Sequence, residues 1–220
     1  MSRCTRCPVV TDLKRGLCGT CYSALRNKEL AYGRWESELV PAADTFAHID
    51  ALTDAAMGHL QIRRLSAVPA ATFSRLLRER PPQIGRLTAQ RIAAVPVPQT
   101  VAALVASAQG HEVVPALGST RRLRALVSAG WPMATMAYDL GMRRAGMDRL
   151  IHRSIRIRAY RHHEVVALFN RLQFEQGPSD DAAAYGLERM WPLPFEWDED
   201  SIDEPGTKAA WARRHPREAA

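Results

Sequence analysis

The stretch Gly130-Trp131-Pro132-Met133-Ala134-Thr135-Met136-Ala137-Tyr138-Asp139-Leu140-Gly141-Met142-Arg143-Arg144-Ala145-Gly146-Met147-Asp148-Arg149-Leu150 decides the reading of the fold. Gly130 and Pro132 interrupt a preceding helix. Helical spacing of apolar residues resumes over 132–140, and Gly141-Met142 makes a tight turn. A further helix covers 143–152, pinned to a core by Met142 and Met147. Ala137 is small where two such helices cross closely, and Gly141 takes a positive φ without strain.

The same pattern occurs twice. Shifting the chain by 74 residues aligns 48–95 with 122–169 without a gap, pairing Ala51 with Ala125, Leu52 with Leu126, Arg75 with Arg149 and Leu76 with Leu150. The apolar positions also match in kind (Ile49 with Leu123, Ile62 with Met136, Phe73 with Met147, Ile92 with Val166). Each copy is read as four helices. The first covers about 44–56 and 120–129, with Asp44 and Ser119 or Thr120 as N-caps. The second covers 59–66 and 132–140, and the third 70–78 and 143–152. The fourth covers 88–95, capped by Thr88, and 160–173. Two short helices joined by a tight turn, the second amphipathic and arginine-bearing, have the sequence shape of a helix-turn-helix. The first copy departs from it, with Arg63 in place of the small Ala137 and Ala67 in place of Gly141.

All four cysteines lie near the start, as Cys4-x2-Cys7-x10-Cys18-x2-Cys21. Two disulfides are one solution, disfavoured because nothing indicates export. Four thiolates closing a tetrahedron around Zn²⁺ are the other, with iron a minor variant. Gly16 and Gly19 give the tight backbone around the second pair, and residues 22–26 read as a short helix. The zinc is expected to be structural, because four thiolates leave no position for a reacting water. Arg3, Arg6, Lys14, Arg15, Arg26, Lys28 and Arg34 oppose only Asp12 and Glu29 here. The finger contacts phosphates, docks on a protein, or only stabilises.

The 220 residues carry 30 basic against 23 acidic side chains, a net charge of +7. Lysine occurs only at 14, 28 and 208, so 27 of the cations are arginine. Arginine forks suit phosphates and base edges, although GC-rich coding yields the same composition. From 143 to 161 there are seven arginines and one acid, whereas 195–205 holds six acids and no base. No window is apolar enough to span a membrane, and no apolar leader follows Met1, so a cytoplasmic, nucleoid-associated protein is expected. The expected fold is mainly α: two tandem helix-turn-helix modules with a small N-terminal zinc finger. The finger covers 1–35, the modules 44–95 and 119–175, the linker 96–118, and a helix with an acidic tail 176–220.

Ile62-Arg63-Arg64-Leu65-Ser66-Ala67-Val68-Pro69-Ala70-Ala71-Thr72-Phe73-Ser74-Arg75-Leu76-Leu77 resembles the bacterial pattern I-A-x-x-x-G-V-S-x-x-T-V-S-R-L-L. Residues 130–142 resemble the G-W-S-x-x-x-L-A-x-x-L-G-M form of the lambda-repressor-like group. Gly16-Leu17-Cys18-Gly19-Thr20-Cys21-Tyr22 and the acidic stretch 191–205 resemble segments of actinobacterial and actinophage helix-turn-helix proteins. The resemblance implies DNA binding and a regulatory role.

In such a motif the start of the third helix meets base edges while neighbours hold phosphates. In the second copy the expected contacts are Arg143, Arg144, Asp148 and Arg149. Arg143 or Arg144 forks onto guanine; Asp148 accepts from cytosine or orients Arg144 or Arg149. Gly146 permits close approach or is drift. Arg153, Arg156 and Arg158 alternate along an extended segment that tracks the backbone or is a solvated loop. In the first copy Ser74, Arg75 and Arg78 give phosphate contact, or the copy is a structural or dimerising unit. His162-His163-Glu164 is read as a solvated helix start. The linker contains a short helix over 100–108 and gives the modules a preferred orientation, like a covalent pseudo-dimer. The tail is read as solvated and anchored by Trp191 and Trp197; packing on the body, competing with DNA, or touching polymerase are the alternatives.

No phosphate loop, nucleophile elbow, zinc-protease or dinucleotide motif occurs, so no enzyme is expected. The reading is a sequence-specific double-stranded DNA-binding regulator, a repressor of bacterial or phage type. Its partner is duplex DNA, with homodimerisation left open and no small-molecule substrate indicated. The rival readings are a protein-interaction adaptor and a recombination accessory factor.

Overall fold

The computed structural model describes residues 1–210. It is mainly helical, with three two-stranded antiparallel sheets. The first belongs to the cysteine-bearing segment: β1 (Ser2–Arg3), β2 (Val10–Thr11) and helix α1 (Gly19–Ala31).

The two copies then follow with one element order. The first is β3 (Leu39–Pro41), α2 (Ala43–Asp54), α3 (His59–Ser66), α4 (Ala70–Glu79), β4 (Gln83–Gly85) and α5 (Arg86–Ala93). Next comes α6 (Val101–Ser107). The second copy is β5 (Val113–Pro115), α7 (Leu117–Ser128), α8 (Met133–Asp139), α9 (Arg144–His152), β6 (Arg156–Arg158) and α10 (Ala159–Leu172). β3 pairs with β4 and β5 with β6, so a short ribbon closes each set of helices.

These ribbons set where the helices start, and the expected N-caps are corrected accordingly. β5 feeds directly into α7: the Ala116 N–H donates to Ile155 O at 2.9 Å, and the helix begins before Ser119 and Thr120. Both residues are buried inside α7, and the Thr120 hydroxyl donates to Leu150 O at 2.9 Å. Asp44 lies in the first turn of α2 after N-cap Ala42, and Thr88 lies inside α5 after N-cap Gly85. The turns between the second and third helices fall where the sequence places them. Ala67 takes φ 51° and Gly141 φ 57°.

Each copy has its own core. One gathers Ile49, Leu52, Ile62, Phe73 and Ile92; the other Leu123, Leu126, Met136, Met147, Ile151 and Phe169. The linker helix belongs to both: Leu104 enters the first core and Val105 with Ala108 the second. Gln61 of α3 adds amide bonds to Leu104 O (3.1 Å) and Ser107 Oγ (2.8 Å). Arg64 forks onto Glu112 at 2.6 and 2.9 Å.

Beyond α10, α11 (Asp180–Glu188) is capped by the Ser179 hydroxyl and packs along α7. Its approach needs Gly177, where a Cβ would fall 2.1 Å from the Gly130 carbonyl carbon. The acidic segment is a correction to the reading of a solvated tail. After a 3-10 turn at Pro194–Glu196 it lies across α7, with Ile202 fully buried. The Arg121 guanidinium donates to Ile202 O and Glu204 O at 2.7 Å and to Thr207 O at 2.9 Å, and stacks on Trp197. Residues 211–220, the end of the expected tail region, lie outside the described residues. No helix among the described residues is long and apolar enough to cross a membrane.

Candidate functional sites: a four-thiol centre and an arginine face

Cys4 and Cys7 come from the loop after β1, where the Cys4 N–H donates to Val9 O at 2.9 Å. Lys14 and Leu17 exchange backbone bonds of 2.9 and 3.0 Å across a turn. Arg15 (φ 51°) and Gly16 (φ 77°) form that turn, the left-handed pair that a two-residue hairpin demands. Cys18 is the N-cap of α1 and Cys21 lies in its first turn. Gly19 is an ordinary first helical residue with open space at its Cβ, so its expected role in the backbone turn is not required.

The four sulfurs lie within 4.8 Å of one another, with Cys7 Sγ and Cys18 Sγ 3.6 Å apart. A tetrahedron with metal–sulfur bonds near 2.3 Å has edges of about 3.8 Å, so the donor set fits a closed thiolate site. No disulfide joins them. The backbone N–H of Cys18 donates to Cys4 Sγ at 3.2 Å and draws that thiol down to about 6. Crowding by the Cys18 and Cys7 sulfurs pushes Cys21 up to about 12. Four converging thiols that resist ionising together are what a bound cation neutralises. Only Cys4, Leu17 and Cys18 are buried in this segment, so it lacks an apolar core of its own. Two of its cations already have roles: Arg15 pairs with Glu38 and stacks on Trp35, and Arg34 pairs with Glu29 at 3.0 Å.

The second feature is the outer side of α9. Met147, Leu150 and Ile151 face the core, leaving Arg143, Arg144, Asp148 and Arg149 exposed, with Arg153 just beyond the helix. Among the described residues none of these four arginines makes an ion pair. Asp148 approaches His152 at 3.7 Å and does not pair with Arg144 or Arg149. A Cβ at Gly146 would meet only Met142 Cε, at 3.5 Å, so packing does not require glycine there. In β6, Ile157 turns inward while Arg156 and Arg158 stay exposed; the alternation expected from 153 onward is limited to these three residues, because Arg153 caps the end of α9 and Ile155 is 84% exposed. Their guanidinium groups are tethered: Arg156 donates to Ala56 O at 2.9 Å and Arg158 to His111 O at 3.3 Å. In the first copy Ser74, Arg75 and Arg78 are exposed on α4, and Arg78 pairs with Glu79 at 3.1 Å.

Two features escaped the sequence reading. Tyr138 on α8 is 86% exposed, a large side chain bare beside the arginine face. Its counterpart in the first copy is Arg64, which is spent on Glu112. The other is His162, 2% exposed, which corrects its reading as part of a solvated helix start. Its Nδ1 shares a 2.9 Å bond with Ser119 Oγ, and its Nε2 lies 3.9 Å from Asp203. Asp203 in turn forks onto Arg122 at 2.8 and 2.9 Å. Burial lowers His162 to about 4, against the pull of the Asp203 carboxylate. The network is largely buried and ties the tail to α7 and α10.

No family model, no curated protein and no solved structure matches this chain.

Proposed function

We propose that the protein is a sequence-specific double-stranded DNA-binding regulator, a repressor of bacterial or phage type, with one structural Zn²⁺ on Cys4, Cys7, Cys18 and Cys21. The observation that carries the reading is α9. It is the second of two helices joined by a tight turn, it buries one face in the core, and it presents Arg143, Arg144 and Arg149 without ion-pair partners among the described residues. Each such fork on a guanine supplies about 1–3 kcal/mol of discrimination. Tyr138 adds a hydroxyl donor for a neighbouring phosphate, and Ser74, Arg75 and Arg78 extend the contact in the first copy. The resemblance to lambda-repressor-like proteins supports the regulatory role.

Selection of preferred duplexes from a random pool, followed by gel shifts over a salt series, tests the reading. Arg144→Ala should weaken the selected site more than random DNA. Equal weakening makes Arg144 a phosphate contact, and no binding to any duplex removes the proposal.

An adaptor that docks on another protein is the second reading. A groove of about 600 Å³ favours it, lined by Ala183, Ala184, Leu187, Met190, Trp191 and Leu193. Leu187 and Met190 are 77% and 56% exposed there.

A further inference from the structure

We propose that the cleft at the junction of the two copies seats duplex phosphodiesters between the two helix faces, an inference that rests on the DNA-binding reading. The cleft has a volume of about 500 Å³ and runs between α3 with its following turn and the segment entering β5. Leu60, Arg63, Arg64 and Ala67 form one wall; His111 and Glu112 form the other.

Its charge is one-sided. Among the described residues Glu112 is the only acid lining it, and that carboxylate is consumed. It accepts both arms of Arg64 and the Gln109 N–H at 2.7 Å, and the Arg64 guanidinium holds its carboxyl below the usual range although burial opposes this. Arg63 is half-buried in the wall and makes no ion pair among the described residues. At the Ala67 end Arg91 reaches in from α5, its Nη1 3.4 Å from Ala67 O. At the His111 end stands Arg158, on His111 O at 3.3 Å. A guanidinium has five N–H donors, so one carbonyl bond fixes its position and leaves the rest of the fork for an anion.

Arg63 in the wall, with Arg91 and Arg158 on the carbonyls of two lining residues, therefore bring three arginines from three elements to one open cleft, and the acid that lines it among the described residues is already paired. Guanidinium groups held by backbone carbonyls in a shallow cleft suit the phosphate backbone, which carries charge at regular intervals and needs no base-specific geometry. The cleft includes the turn at Ala67–Pro69 that leads into α4, the helix bearing the exposed Ser74 and Arg75. It also explains Arg63. This is the residue that departs from the helix-turn-helix pattern, and it lines the junction whereas its counterpart Ala137 is buried between helices.

The test uses the full chain, the duplex it selects and a random duplex of equal length. The variants are Arg63→Gln, Arg158→Gln and the pair together. Arg63 makes no side-chain hydrogen bond among the described residues, so its variant should melt like the parent and keeps the test valid if the others fold poorly. Each substitution should lower affinity for both duplexes by the same factor. It should reduce the slope of log K against log salt by about 0.9, and the pair by about twice that. The ratio of selected to random affinity should stay constant. Ethylation of phosphates between the protected segments should block the parent and not the double variant. An unchanged slope with duplex binding intact would overturn the cleft while leaving the DNA-binding reading standing, as would a fall in the selected-to-random ratio. Failure of the parent to bind any duplex overturns both.

Discussion

Asp203 sits with 12% of its side chain exposed against Arg122 with 7%. Removing one partner of such a pair leaves a buried charge uncompensated, at a typical cost of about 3–5 kcal/mol. Asp203→Ala should therefore show a loss of that order in urea unfolding, and a loss below about 1 kcal/mol would show that water screens Arg122. His162 gives a pH dependence with a definite sign. Its folded pKa of about 4 lies below the ordinary 6.5, so the unfolded chain takes up the proton first as pH falls. Its contribution is complete above pH 6.5, is lost between 6.5 and 4, and amounts to about 3 kcal/mol. Unfolding curves at pH 7 and pH 5 should differ in this sense for the parent, and the difference should shrink in His162→Gln. Sequence alone left His162 on a helix start, because the groups that meet it come from far along the chain: Ser119 on α7, 43 residues earlier, and Asp203, some 40 residues further along.

At the scale of elements, α7 shows how the second copy has been adapted to hold the acidic segment. Gly118 has no room for a Cβ, which would stand 1.6 Å from Asp203 Oδ1. The equivalent residue of the first copy is the exposed Asp44, and no acidic segment crosses that copy. Gly118→Ala should displace the segment and expose Trp197, read as a red shift in tryptophan emission and faster proteolysis near residue 200. An unchanged spectrum would mean that the segment adjusts in place. The thiol centre is a second case. Only Cys4, Leu17 and Cys18 are buried there, so on the proposed zinc reading β1, β2 and α1 would draw their folding energy from the ion. Chelation should release one equivalent of Zn²⁺ per chain and remove helical signal worth α1 alone, with the melting of the remaining helices unchanged.

For the molecule as a whole, the two copies are coupled through α6, which puts Leu104 in one core and Val105 in the other, and through Arg64 on Glu112. Glu112 is 8% exposed, but the Arg64 side chain is 33% exposed, so solvent screens the pair and its loss should cost only about 1–2 kcal/mol. The larger effect should be on cooperativity. Calorimetry of Arg64→Met should split one transition into two, and a single transition would assign the coupling to α6 and Gln61. The linker reading of residues 96–118 anticipated a fixed orientation. The agent that fixes it, a carboxylate meeting an arginine 48 positions earlier, has no local signature.

The amino-acid order by itself determined what depends on neighbours along the chain. Helical periodicity and the 74-residue repeat placed the third helices and their exposed arginines. The paired C-x-x-C spacing placed four sulfurs where they converge, and Ala67 and Gly141 marked the turns. These features rest on local backbone preference and on which face is apolar. Tertiary structure decided the rest. The strands β3 and β5 are three residues long and lack an apolar pattern that distinguishes them from linker; they exist because β4 and β6 come back to pair with them. They, and not side-chain caps, set the starts of α2 and α7. The acidic segment looked solvated because its composition is polar, yet Arg121, Arg122 and a slot left by Gly118 draw it in. Long-range pairing of charge and of strand edges is decided by where the chain returns, and composition carries no record of that.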